Sequence, residues 1–175
     1  MKNKAHEKIL SWDRLASVLT QIRGQGEKIV FTNGCFDILH IGHTRYLAAA
    51  RSLGDVLVVG VNSDASVRSL NKAPDRPLVG QEERAEILAS LEAVDWVCIF
   101  SESTPARLLE TVRPDVLVKG GDWAAENIVG GEEVLARGGK VMSLPLVPGR
   151  STSALVEKIR ESYRRPAGGR TGQDK

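Results

Sequence analysis

Residues 55–62 read DVLVVGVN, a near-continuous apolar run rich in valine. A strand with one face in water alternates apolar and polar residues, whereas a strand this apolar is covered on both faces. Double cover comes from helices on either side of a parallel sheet, because parallel neighbours need crossover connections. This run therefore restricts the chain to an α/β architecture more than any other stretch does. Four more runs have strand character: residues 28–33, 95–100, 114–118 and 140–144.

Helical patterns separate the strands. Ser11 stands as an N-cap with Asp13 in the first turn; Trp12, Leu15, Ala16, Val18, Leu19 and Ile22 recur at helical spacing, and Gly24 and Gly26 stop the helix. Further helices are expected over residues 44–52, 65–70, 81–93, 132–137 and 151–163, and from Pro105 in first position to Val112. Tyr46, Leu47, Ala50 and Leu53 would face inward, as would Ile87, Leu88 and Leu91. The alternation has no repeat and no long linker, which predicts an α/β fold with a doubly wound, open parallel sheet of about five strands. Residues 1–26 are expected as a loosely held polar segment (1–10) and a helix, 27–163 as the main domain, and 164–175 as a disordered tail.

The net charge is +2, from 24 basic and 22 acidic side chains mixed along the sequence, so no nucleic-acid partner is expected. Cys35 and Cys98 are far apart and form no CxxC, which fits a reducing compartment. The start lacks the apolar core of a signal peptide, and no apolar run approaches the ~20 residues that span a bilayer. These features predict a soluble, cytoplasmic protein with no membrane partner.

One stretch carries chemistry. Residues 32–43 read TNGCFDILHIGH and sit between the first strand and a helix. A strand that ends in a glycine-containing loop and opens a helix suits phosphate, because loop and first-turn amides and the helix dipole all favour an anion. His40 and His43 add donors close to neutral at cell pH. They could instead be plain capping residues, or a metal pair, but His6 is the only other histidine and Cys35 the only nearby thiol, so a third and fourth ligand are hard to find. Gly42 between them lets backbone approach an anion. In open α/β sheets ligands bind past the carboxyl ends of the strands, and the segments after Asn33, Asn62, Val118 and Leu144 should gather there.

The string G-x-F-D-x-x-H-x-G-H, residues 34–43, resembles the HxGH signature of the nucleotidyltransferase superfamily, which includes cytidylyltransferases and pantetheine-phosphate adenylyltransferase. Other segments extend the likeness: VNSD at 61–64, Lys72 with Arg76-Pro77, Glu83-Arg84, LEAVDWV at 91–97, RPD at 113–115, KGGD at 119–122 and STS at 151–153. Together they resemble the heptose 1-phosphate adenylyltransferases of lipopolysaccharide core synthesis, either stand-alone or cut from a fusion with a sugar kinase.

The resemblance implies a Rossmann-like sheet of the nucleotidyltransferase type and transfer of AMP from ATP to heptose 1-phosphate, giving ADP-heptose and pyrophosphate. It leaves open a cytidylyltransferase acting on glycerol 3-phosphate or a similar alcohol phosphate, and a non-catalytic nucleotide-binding module. His40, His43 and Lys72 are implied as catalytic residues. Asn33, Gly34, Cys35, Phe36, Gly42, Lys119, Gly120, Asp122, Ser151, Thr152 and Ser153 are implied as nucleotide-binding. Lys72 alone reads as a solvated loop lysine, the KGGD segment as a turn, and Ser151 as an N-cap; the likeness gives each its further role. Arg76 is a candidate for the transferring phosphoryl group or, instead, the sugar phosphate, and Arg84 for a structural ion pair with Glu82 or Glu86 or for a phosphate contact. Asp37 is expected to orient a neighbour or hold the loop, Cys35 to pack rather than react, and Trp123 to lie beside base or sugar. Magnesium is expected to arrive with ATP, with no protein metal site, and the family suggests a homodimer.

Overall fold

The computed structural model describes residues 4–70, 75–121, 123–124, 127–145 and 147–164. Its strands are β1 (Ile29–Gly34), β2 (Val56–Asn62), β3 (Trp96–Phe100), β4 (Val116–Gly120) and β5 (Lys140–Leu144). They form one sheet in the order β3-β2-β1-β4-β5, and every neighbouring pair is parallel. The helices are α1 (Ala5–Lys8), α2 (Trp12–Gly24), α3 (Ile41–Arg51), α4 (Asp64–Ser69), α5 (Gln81–Ala89), α6 (Ala106–Val112), α7 (Gly131–Ala136) and α8 (Thr152–Arg164).

The sheet is covered on both sides, as the apolar β2 requires: all of its residues are buried. Alternate residues serve opposite layers. Val30, Leu57, Val59 and Val61 pack with Leu47 and Ala50 of α3 and Ala85 and Leu88 of α5. Ile29, Phe31, Val56 and Val58 pack with Leu15 and Leu19 of α2, Leu108 of α6 and Val134 of α7. Each buried valine, leucine, isoleucine or phenylalanine among these contributes about 1.5–3 kcal/mol of transfer free energy.

The strand order reverses between β1 and β4, and the sheet splits there. β1 stays in register with β2 from Ile29↔Val56 to Gly34↔Val61, but with β4 only at Val30↔Val116 and Phe31↔Leu117. Past those pairs the strands diverge toward their carboxyl ends. Tyr46 of α3 fills the base of the split. Its hydroxyl donates to the Val118 carbonyl at 3.3 Å, which leaves the Thr32 hydroxyl, 2.6 Å away, to donate to the Tyr46 oxygen. Burial pushes the Tyr46 hydroxyl up to about 12, so it stays a donor.

Several local expectations need correction. Residues 4–10 are held: Ala5 and Leu10 are buried, Ile9 bridges to Val97, and Lys8 Nζ donates to the Val94 carbonyl at 2.8 Å. Three apolar residues suffice to seat a segment whose composition is otherwise polar. The helix after the first loop begins at Ile41 rather than Thr44, because His40 itself caps it. The Gln81 helix ends at Ala89, four residues early, and Ile87 is exposed; Arg84, Ala85, Leu88 and Ala89 form the buried side. Pro105 stands at the cap rather than in first position. β4 runs from Val116, not Pro114, because Arg113 takes a left-handed backbone (φ 43°) and Asp115 turns the chain. The expected tail from 165 onward lies outside the described residues.

Candidate active site

The cleft above the split is built from β1 upward. After Gly34 the chain turns through Phe36, whose left-handed backbone (φ 48°) costs a non-glycine residue of order 1 kcal/mol. Packing holds it there: the Phe36 ring is buried against Gly34, and it meets the His43 ring edge-on with centroids 5.6 Å apart.

Asp37 and Arg84 fix this loop from below. Asp37 is buried and accepts from Arg76 Nη1 at 2.5 Å and from the amides of Leu78 and Val79 at 2.8 and 2.9 Å. Burial alone would raise its carboxyl, but these partners outweigh burial and hold it below the ordinary value. Arg84, with 1% of its surface exposed, donates to the carbonyls of Cys35, Asn62 and Val79 and to Asp64 Oδ1. Its acidic partner is therefore Asp64, not Glu82 or Glu86. Its guanidinium joins the ends of β1 and β2 to the segment before α5.

The two imidazoles form a locked pair. His40 Nδ1 accepts from the Gly42 amide at 3.1 Å, and His43 Nδ1 accepts from the His40 amide at 3.3 Å. The rings stack with centroids 4.0 Å apart. Burial, then the neighbouring His40, lowers His43 to about 4; burial, then Arg150, also lowers His40. Both rings are thus neutral at pH 7, and an accepting Nδ1 places the single proton on Nε2. Each ring offers one outward donor and no charge.

Gly42 serves this pair directly. A Cβ there would lie 2.8 Å from two atoms of the His40 ring. Its small size makes room for the imidazole, which differs from the backbone-to-anion approach expected from sequence. The first-turn amides of α3 at Gly42 and His43 are likewise taken, by His40 Nδ1 and the His40 carbonyl. These two amides are therefore not available to an anion, and the imidazoles stand in their place.

The opposite wall comes from β4 and α8. Lys119 Nζ donates to Asn33 Oδ1 at 3.3 Å, bridging the strands across the split. Ser151 Oγ accepts from the Ala154 amide, so it caps α8, and Thr152 Oγ1 donates to the Ile38 carbonyl at 3.2 Å, docking the helix tip on the β1 loop. The α8 first-turn amides and dipole favour an anion at this tip.

These walls enclose a cavity of about 430 Å³. Its lining includes Asn33, Gly34, Cys35 and Phe36, then His40, Gly42 and His43, then Lys119 and Gly120, and finally Ser151, Thr152 and Ser153. Every candidate from the sequence that falls on described residues thus borders one cavity. Lys72 and Asp122 lie outside the described residues. Arg76 and Trp123 also border it; Trp123 is half exposed, with Nε1 donating to the Gly120 carbonyl. Arg150 and Tyr46 are additions. The only sequence sign of Arg150 is its place just before the hydroxyl run, and Tyr46 reads simply as core. Among the described residues no three His, Cys, Asp or Glu side chains gather as a metal site.

A family model described as cytidylyltransferase-like matches residues 31–158, from the middle of β1 into α8. The chain belongs to the cytidylyltransferase-like family. Among its relatives, the bifunctional protein HldE of Citrifermentans bemidjiense is 54% identical over 156 residues, 89% of this chain and 32% of that protein. The bifunctional protein HldE of Pseudomonas paraeruginosa is 56% identical over 153 residues, 87% of this chain and 32% of that protein. The chain thus spans about a third of the length of the curated relatives it matches. Among solved structures, a lipopolysaccharide core biosynthesis protein from Thermoplasma volcanium aligns with a TM-score of 0.57 at 29% identity, covering 70% of this chain and 98% of that one. A pantoate-beta-alanine ligase from Francisella tularensis shares the fold, with a TM-score of 0.57 at 19% identity over 83% of this chain and 68% of that one.

Proposed function

We propose that this chain transfers AMP from ATP to heptose 1-phosphate, releasing pyrophosphate and forming ADP-heptose for lipopolysaccharide core synthesis. The observation that carries the reading is the pair of neutral imidazoles, locked through Nδ1, facing Lys119 and the α8 tip across one cavity. The choice of adenine and heptose rests on the sequence likeness to heptose 1-phosphate adenylyltransferases and on the lipopolysaccharide core neighbour.

In the proposed reaction an oxygen of the sugar phosphate attacks the α-phosphorus of ATP. One P–O bond forms while the bond to pyrophosphate breaks, and negative charge moves on to the leaving group. No covalent protein intermediate is needed, so the protein's work is positioning and charge stabilisation. His40 and His43 donate through Nε2 to oxygens on which charge builds; fixed donors of this kind are each worth about 10²–10³ in rate. The α8 tip, with Ser151, Thr152 and Ser153, receives the distal phosphates. Lys119, held by Asn33, and Arg150 supply full positive charge. Lys72 is assigned to the transferring phosphoryl group, and Asp122 to the nucleoside, by the resemblance alone.

Among the described lining residues Asp37 is the one carboxylate, beside imidazole, ammonium, guanidinium, amide and hydroxyl groups, and it already accepts from Arg76 and two amides. That set fits a magnesium ion carried on the nucleotide's own phosphates and water, not one caged by carboxylates. When bound, the ion supplies neutralising charge to the phosphates. We place the reaction in the cytoplasm and the working form as a homodimer, which sedimentation of the purified chain tests.

The deciding experiment follows pyrophosphate release from ATP and magnesium with a panel of sugar and alcohol phosphates, with CTP run in parallel. The proposal expects release with ATP and heptose 1-phosphate, and none from a His40→Ala variant. The family's cytidylyltransferase-like description favours the second reading, which faster release with CTP and an alcohol phosphate would select. Nucleotide binding without release from any pair would leave a binding module.

A further inference from the structure

A second cavity, of about 400 Å³, lies at the opposite end of the strands and is lined by Arg23, Lys28, Arg113, Arg137 and Lys140. Lys28 directly precedes β1, and Lys140 opens β5. Arg23 sits in the last turn of α2, while Arg113 and Arg137 are the C-cap residues of α6 and α7. Nothing in the proposed transfer reaction uses this end of the sheet.

The fold itself explains only part of this charge. Helix carboxyl ends favour cations, and Arg23 Nη2 donates to the Val112 carbonyl at the end of α6. None of the five cations forms an ion pair with a carboxylate among the described residues. Asp115 is the one acid in the lining, and its Oδ2 accepts from the Ile29 amide at 2.8 Å. Burial lowers Arg23, and Arg113 and Arg137 push it the same way, with Asp115 alone opposing. Like charges therefore face one another across a partly enclosed space.

Arg113 adds an independent observation. It holds a left-handed backbone, φ 43° and ψ 58°, at a helix end where glycine is the usual residue. An arginine there bears conformational strain that glycine would not. Its exposed side chain takes part in no hydrogen bond or ion pair among the described residues that would account for it.

We infer that this cavity is a second anion site, separate from the cleft, that takes a phosphate-type oxyanion carrying two or more negative charges. Planar guanidinium forks match phosphate oxygens two at a time, and the lysines add point charge. Bound oxyanion would relieve the repulsion among Arg23, Arg113 and Arg137. The same group occurs free, as pyrophosphate, or attached to a nucleoside, as in ADP.

The test measures pyrophosphate binding to the intact chain and to an Arg113→Gln/Arg137→Gln variant by calorimetry at low salt. Both side chains are exposed and outside the cleft, so turnover of the variant should match the parent, and its melting temperature should be no lower. The expected result is two pyrophosphates per parent chain, with the site lost in the variant weakened at least about tenfold. Lys140→Gln should weaken the same site by a smaller factor. Running ADP in both proteins separates the sources: a parallel loss assigns a nucleoside diphosphate, and unchanged ADP binding assigns the inorganic ion. Equal stoichiometry and affinity in parent and variant would overturn the inference, as would absence of any binding in the parent outside the cleft.

Discussion

At the carboxyl ends of β1 and β4, two neutral imidazoles stand among Lys119, Arg150 and the α8 tip. At the opposite ends, five cations line a cavity with a single carboxylate. The first arrangement is over-determined: each imidazole is fixed through Nδ1, Gly42 is shaped to the His40 ring, and Arg84 and Asp37 clamp the loop beneath. The second is mostly charge on exposed side chains, with Arg23 half-buried and anchored on the Val112 carbonyl. Fixed neutral donors stabilise charge where it develops, without holding the ground-state anion as tightly as full cations do. Exposed guanidinium and ammonium groups attract a multivalent oxyanion without fixing where charge develops on it. The contrast separates a place for chemistry from a place for binding.

The strongest way to break it is His43→Ala. We expect pyrophosphate release to fall by about 10²–10³, since one preorganised donor is removed, with a modest fall in melting temperature from the lost packing on Phe36 and His40. A fall of less than tenfold would put the cleft's imidazoles on the same footing as the distal arginines. Arg84→Leu tests the clamp. It leaves three carbonyls and Asp64 without their buried partner, and denaturant melts should show a loss of about 3–5 kcal/mol. A near-neutral result would mean the loop is held by its own packing. Gly42→Ala sharpens the geometry: the added Cβ displaces the His40 ring, and turnover should drop roughly tenfold while the fold survives.

The pH response is a smaller effect. Unfolded, His43 titrates near its ordinary 6.5; folded, it titrates at about 4. Between these values the unfolded chain binds more protons, so stability rises with pH. Its contribution is complete above 6.5 and is lost as pH falls through about 4. Urea melts across that window should show the slope, and His43→Gln should flatten it. The smallest expected effect is on turnover in Arg113→Gln, under twofold; a larger drop would tie the distal cavity to the chemistry.

The fold was legible because β2 is apolar on both faces and because helical patterns alternate with apolar runs along the chain. Boundaries were less so. The start of α3 was hidden because a histidine serves as its cap, outside the usual Ser, Thr, Asp and Asn set. The α5 helix misleads because its largest fully buried side chain is an arginine, and periodicity does not count a charge as core. The cleft's residues were readable from motif and strand ends. The reason for Gly42 was not, because it depends on where a neighbouring ring folds. Arg113 could not be assigned to either end of the sheet until the strand that follows it was placed.

The central claim is that the split between β1 and β4 cradles a triphosphate. A crystal structure with a non-cleaved ATP analogue, its α,β-bridging oxygen replaced by methylene, tests this most directly. The account predicts phosphate oxygens within hydrogen-bond distance of His40 and His43 Nε2 and of Ser151 to Ser153. A bound analogue seated elsewhere, with both imidazoles out of reach of phosphate, would contradict it.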